Sequence, residues 1–152
     1  MTITFKAIDK PDAITISHIL YVEQEAFGDT ALSEYVIVPL LRHGKVYIAV
    51  DEEDIVIACA YFIRDMHDAG IAYLMSVATL PVFKGHDVGT ALLNFAFSDL
   101  KEIGIARLQL TVDPANFAAL STYREKLGFA VADNSQDEYG IGDDKLIMVR
   151  DL

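Results

Sequence analysis

The sequence is short of cysteine, of long apolar runs and of cations, and each shortage excludes something. Cys59 is the only cysteine in 152 residues, so no internal disulfide framework can form and the chain suits a reducing compartment. It lies in the alternating apolar segment DIVIACAYFI, 54–63, where a free thiol behaves as a small hydrophobe. Hydrophobic residues make up 53% of the chain, yet none of the apolar runs approaches the roughly 18 residues a membrane span requires. The opening MTITFKAIDKPD lacks the apolar stretch and small-residue cleavage site of a signal peptide, so a cytoplasmic protein is expected. The length and the even composition predict one domain over residues 1–152.

The net charge of −11 is unevenly spread. Between Pro81 and Gly128, Lys84, Lys101, Arg107, Arg124 and Lys126 balance Asp87, Asp99, Glu102, Asp113 and Glu125, so the remainder carries 7 basic and 18 acidic residues. Such a field repels nucleic acid and anionic membrane, attracts a cationic partner, and also serves solubility.

Periodicity and turn residues predict strand, helix, helix, three strands, helix, strand, helix and two strands. A strand at 3–8 precedes a helix capped by Asp12, with Ile16, Ile19, Leu20 and Phe27 on its apolar face. A helical segment interrupted at Pro39 spans about 33–42, and strands at 45–50 and 54–63 flank the acidic turn DEED, a hairpin signature in all but glycine. The strand at 71–80 is apolar on both faces. The following helix carries Val88, Leu92 and Phe95 and stops at Gly104; then come a strand at 106–112, a helix with Ala119, Leu120, Tyr123 and Leu127 on one side that ends at Gly128, and strands near 129–132 and 145–149. Repeats, low-complexity tracts and heptads are absent.

The stretch VATLPVFKGHDVGTAL, 77–92, is the most informative. An apolar strand ends at Pro81, a short turn carries Lys84, Gly85 and Gly89, and an apolar helix begins at once. Backbone N–H groups of such a turn and of the helix's first turn converge where the helix dipole favours negative charge, and phosphate is the natural guest.

VATLPVFKGHDVGTALL together with NFAALSTYREKLGF resembles the two signature segments of the GNAT superfamily of N-acetyltransferases. The resemblance covers the second half of the chain, and the first half through element order. It implies a single α/β domain with a mixed sheet of six to seven strands, splayed in the middle and covered by helices on both faces. It also implies acetyl-CoA as co-substrate, bound by Val77, Ala78, Thr79, Lys84, Gly85, His86, Asp87, Val88, Gly89, Thr90, Asn116 and Tyr123.

The pyrophosphate pattern falls on Lys84-Gly85-His86-Asp87-Val88-Gly89 with two departures. Lys84 replaces the usual Arg or Gln and keeps a cation without a planar fork. Asp87 replaces a glycine, and Asp visits the left-handed region readily enough for the turn to survive.

Acetyl transfer to an amine needs a donor at the developing oxyanion, a proton for the departing thiolate and a base for the ammonium. By resemblance the Val77 N–H is the oxyanion donor and Tyr123 the acid, although Tyr123 also reads as a core residue and Asn116 as a helix cap. Where relatives place a strand glutamate, this chain has Met75 and Ser76; His67, Asp68, Glu23 and Glu25 are substitutes for the base, each of which also reads as a solvated surface residue. His18, His43 and His86 form no cluster at metal-ligand spacing and no Gly-x-Ser-x-Gly elbow exists, so neither a metal nor a serine nucleophile is expected. The expected partner is a small-molecule amine or a peptide N-terminus, with a homodimer as the assembly. The rival is a degenerate fold of the same family that binds CoA as a sensor or interaction module.

Overall fold

A computed structural model describes all of residues 1–152. The elements are β1 (Thr4–Ile8), α1 (Ala13–Phe27), α2 (Glu34–His43), β2 (Lys45–Val50), β3 (Val56–Arg64), β4 (Ile71–Thr79), α3 (Val88–Glu102), β5 (Arg107–Val112), α4 (Phe117–Ser121), β6 (Ala130–Ser135) and β7 (Lys145–Asp151). The sequence predicts this order. Seven strands form a mixed sheet in the order β1-β2-β3-β4-β5-β7-β6, with β4 and β5 parallel. The chain divides into two compact units, Met1–Ile63 with Leu74–Asp99, and Arg64–Tyr73 with Leu100–Leu152.

The first unit is built on the β1-β2-β3 antiparallel ladders. Asp12 caps α1 as predicted, with extended backbone and a carboxylate that accepts the Thr15 N–H at 2.9 Å. The buried residues of α1 are Ile19, Val22 and Glu23; Phe27, predicted on the apolar face, is 40% exposed. Ile19 and Val22 join Ile37, Leu40 and Leu41 of α2 and Val46, Ile48, Cys59, Tyr61 and Ala78 of the sheet in one buried cluster. Full burial of an aliphatic chain of this size stabilises the fold by about 1.5–3 kcal/mol.

Pro39 does not interrupt α2, which runs unbroken from Glu34 to His43. A proline in a helix frees the carbonyl four residues earlier, here that of the exposed Tyr35, which water can serve. The acidic turn after β2 closes without glycine because Asp54 adopts φ +63°, while the Asp51 carboxylate accepts the N–H groups of Glu53 and Ile55.

β4 departs from its predicted two-sided burial. Ala72, Leu74 and Ala78 are buried, whereas Met75 is exposed and Val77 and Thr79 are half-buried. The ladder from β4 to β5 pairs Ile71 with Arg107, Ala72 with Leu108 and Tyr73 with Gln109, and goes no further along β4. In α3 the buried stripe is Val88, Leu92, Leu93, Ala96, Phe97 and Leu100. Phe95 lies at its margin, stacked on Phe5 at 5.8 Å.

In the second unit β7 pairs antiparallel with both β5 and β6. Asn116 caps α4 by accepting the Ala119 N–H at 3.2 Å. The helix then widens into a π-helical turn over Thr122–Lys126, and Gly128 ends it at φ +71°. No helix is long and apolar enough to cross a membrane.

Candidate active site

Within the first unit the structure brings the predicted β4 residues and the predicted cradle together. β4 ends at Thr79, and a 3₁₀ turn over Pro81–Phe83 leads into the exposed turn of Lys84, Gly85, His86 and Asp87. The Lys84 N–H donates to the Pro81 carbonyl at 3.1 Å and the His86 N–H to the Phe83 carbonyl at 3.2 Å. Gly85 sits at φ +84° and Asp87 at φ +58°. The aspartate thus performs the conformational duty of the glycine it replaces, at the cost an L-residue meets in the left-handed region.

The Asp87 carbonyl accepts the Ala91 N–H at 2.9 Å, the first bond of α3. The N–H groups of Val88, Gly89 and Thr90 therefore occupy the helix's first turn, where no intrahelical acceptor exists.

Gly89 explains itself by proximity. A Cβ there would lie 3.2 Å from Thr79 Oγ1 and 3.9 Å from Val77 Cγ2. The missing side chain lets the first turn of α3 approach β4 at two of the residues expected to bind acetyl-CoA. Ala78, between them, is buried in the cluster behind. A Gly-x-x-x-Gly turn that ends on an accessible helix N-terminus, with its dipole and N–H groups presented, suits a phosphate-bearing ligand.

Within the second unit lie Asn116, which caps α4, and Tyr123, which stands in the π-helical turn. π-turns occur disproportionately at functional sites. Tyr123 is half-buried, its ring meets Phe129 edge-on at 5.7 Å, and its carbonyl accepts the Phe129 N–H at 2.9 Å. Burial alone raises its phenolic pKa, because the hydroxyl makes no hydrogen bond within the chain.

The other three sheltered tyrosines behave as buried phenols usually do. Tyr47 donates to Asp99 at 2.6 Å, Tyr61 bonds Cys59 and Glu23, and Tyr73 bonds Thr111 and Tyr139. Tyr123 differs: it is half-buried, its hydroxyl bonds to no protein group, and that hydroxyl reaches solvent.

The substitutes for the base fare differently. His67 and Asp68 are exposed in the turn before β4, where the Asp65 carboxylate accepts the His67 N–H at 2.7 Å and the Asp68 N–H at 3.3 Å. Glu25 is exposed on α1. Glu23 is not the solvated surface residue the sequence suggests: it is fully buried, accepts the Leu32 N–H at 2.8 Å and the Tyr61 hydroxyl at 3.2 Å, and has its pKa raised mainly by burial. A signal was available, since Glu23 follows Ile19 by four residues and shares its helix face.

Sequence reasoning also missed the hydroxyl cluster of Tyr73, Thr111 and Tyr139, with Tyr73 2.9 Å from Thr111 and 3.1 Å from Tyr139. Those residues lie on β4, β5 and the loop before β7, and only strand pairing joins them.

A mixed α/β sheet whose β4 runs through a glycine-bearing turn into a helix places an anion-binding turn at the end of that strand. The chain belongs to the acetyltransferase (GNAT) family, whose model matches residues 14–129. Among solved structures it is similar to the ribosomal-protein-S18-alanine N-acetyltransferase from Escherichia coli, at 23% identity over 99% of this chain and 94% of that one, with a TM-score of 0.81. It is also similar to a chain of the NatC complex bound to Gag peptide and CoA, at 23% identity over 100% and 99% of the two chains and a TM-score of 0.82. A GNAT family acetyltransferase from Elizabethkingia anophelis with acetyl-CoA bound matches at 18% identity over 99% and 98%, with a TM-score of 0.74. No curated protein matches the chain by sequence.

Proposed function

We propose that this acetyltransferase moves an acetyl group from acetyl-CoA to the primary amine of a small, cationic acceptor or a peptide N-terminus by direct attack. The cradle supports the choice of co-substrate. Its exposed turn, its left-handed Gly85 and Asp87 and the close seating of Gly89 beside Thr79 suit a pyrophosphate over the first turn of α3. Lys84 adds a cation in the same turn, and Asn116 is assigned a contact to the carrier.

The bond that forms joins the acceptor nitrogen to the acetyl carbon, and the bond that breaks is carbon to sulfur. The Val77 N–H stabilises the charge that develops on the acetyl oxygen, a contribution typically worth about a hundredfold or more in rate. Tyr123 gives its proton to the departing thiolate, and the ammonium proton leaves through solvent or through His67, Asp68 or Glu25.

The single observation that supports catalysis rather than simple binding is the half-buried Tyr123, whose hydroxyl bonds to no protein group and is open to a ligand. A raised pKa keeps the phenol protonated at neutral pH, as an acid must be. One observation favours the rival, a CoA-binding module without turnover: β4 presents Met75 and Ser76 where a carboxylate base would stand. Release of free CoA in the presence of amines supports the enzyme, and an acetyl-CoA-induced rise in melting temperature without such release supports the module. The proposal extends to a cytoplasmic location, to residues 1–152 acting as one catalytic domain, and to a homodimer.

A further inference from the structure

Glu23 is the one charged or polar residue in the buried core, and its hydrogen bonds tie three segments of the first unit together. One carboxylate oxygen accepts the Leu32 N–H at 2.8 Å and so fixes the connection between α1 and α2. The other accepts the Tyr61 hydroxyl of β3 at 3.2 Å. The Tyr61 oxygen in turn lies 2.8 Å from Cys59 Sγ, two residues along the same strand. Leu32 and Leu80 pack against the buried cluster that holds Cys59, Tyr61 and Ala78, and the Leu80 N–H donates to Ile57 of β3 at 2.9 Å. Through Tyr61 the carboxylate is thus joined to the buried cluster that Ala78 enters between Val77 and Thr79.

We infer that Glu23 is a positioning residue, a clamp that holds the α1–α2 connection and β3 in register behind the acyl-transfer segment of β4. This rests on the function proposed above for Val77. A buried charge left short of donors is expensive, so the clamp works only because both oxygens are engaged. The chain of donors can also run in reverse. With Glu23 ionised, the Cys59 thiol donates to Tyr61 and Tyr61 to the carboxylate. With an amide in its place, the amide oxygen keeps the Leu32 N–H while the amide nitrogen donates to the Tyr61 oxygen, whose hydrogen turns to Cys59 Sγ. The Leu32 N–H and the Tyr61 oxygen keep their bonds to residue 23 in both arrangements, with one amide N–H left over in the second, so Glu23→Gln preserves the clamp and Glu23→Leu, of similar volume, removes it.

The test compares these variants by amide hydrogen exchange at Leu32 and by steady-state acetyl transfer. Glu23→Leu should speed exchange of the Leu32 amide by about tenfold or more and lower kcat by about tenfold or more. Its KM for acetyl-CoA should change less than its kcat, since the clamp does not touch the pyrophosphate cradle of residues 84–90. Glu23→Gln should match the wild type in both readouts. Should Glu23→Leu fail to fold, Tyr61→Phe replaces it: it cuts the bond from β3 to the carboxylate, so kcat should fall by about tenfold or more.

Unchanged Leu32 exchange in Glu23→Leu, a Glu23→Gln variant as impaired as Glu23→Leu, a loss confined to the KM for acetyl-CoA, or an unchanged kcat in a folded Tyr61→Phe variant would each overturn the inference. Exchange is read without substrate. If the wild type turns over no amine, the proposed function fails while Leu32 still decides the clamp.

Discussion

Replacing Tyr123 by phenylalanine removes one oxygen and leaves the ring against Phe129 at its 5.7 Å edge-on packing. Because the hydroxyl bonds to no protein group, its loss strands no donor or acceptor, and stability should change by no more than about 0.5 kcal/mol. Turnover is another matter. Loss of a positioned acid typically costs about 10²–10⁴ in kcat, or roughly 3–5 kcal/mol of activation free energy. The Kd for acetyl-CoA should stay within about threefold, because the reacting proton is used only as the thiolate departs. Burial raises the phenolic pKa, so the acid keeps its proton as pH rises through the ordinary tyrosine value near about 10. The alkaline limb of the wild-type kcat profile should lie above that value and be absent from the residual activity of the variant. Thiol release, calorimetric melting and acetyl-CoA titration on the two proteins measure all three quantities. A folded variant with kcat within about threefold of wild type, or one that loses only stability, would return Tyr123 to the core and refute the reasoning.

Gly89→Val should abolish the acetyl-CoA-induced thermal shift and destabilise the protein by about 1–3 kcal/mol, since even a Cβ meets Thr79 Oγ1 at 3.2 Å; an undiminished shift would show that the cradle lies elsewhere. Asp87→Gly keeps a residue suited to φ +58° and removes a negative charge, so acetyl-CoA titration should find equal or tighter binding, and a clear loss would give Asp87 a positive role. The backbone bond from Thr15 lowers the Asp12 pKa, so its stabilisation is complete above the ordinary carboxylate value of about 3.9 and disappears as pH falls through the lower folded value. Asp12→Asn should therefore flatten that part of the acid-unfolding curve, and an unaltered curve would remove the cap from the account. For a cationic amine, kcat/KM should fall as ionic strength rises from about 0.01 to 0.15 M, where the Debye length shrinks from roughly 30 to 8 Å. Asp133, Asp137, Glu138, Asp143, Asp144 and Glu25 are the expected contributors to that field, and the buried Glu23 is not; a rate indifferent to salt would assign the acidic surface to solubility.

The order of the elements was legible because each boundary has a local cause. Asp12 and Asn116 offer acceptors to N–H groups three residues ahead, and Gly104 and Gly128 accept the left-handed turn at helix ends. Asp54, Asp87 and Asp137 all take positive φ, so in this chain aspartate serves at turns where glycine is the usual residue. That was foreseen at Asp87 and passed over in the hairpin. What could not be read depends on tertiary pairing. Glu23 looks like any acidic residue of an amphipathic helix until Tyr61 and Leu32 are placed against it. The π-helical turn that carries Tyr123 has no signature in TYREK, and Pro39 is tolerated because the carbonyl it frees belongs to an exposed turn of helix. The cradle was the most legible part of the candidate site because its chemistry is backbone chemistry set by local residues.

The central claim is tested most directly by incubating the purified protein with acetyl-CoA and a panel of amines that spans polyamines, amino acids and peptides with free N-termini, and quantifying free CoA and acetylated product by mass spectrometry. The account predicts equimolar CoA and N-acetyl product with at least one amine, and loss of both in Gly89→Val and Tyr123→Phe. Retention of intact acetyl-CoA across the panel, despite a thermal shift that shows it bound, would contradict acetyl transfer and leave a carrier-binding module.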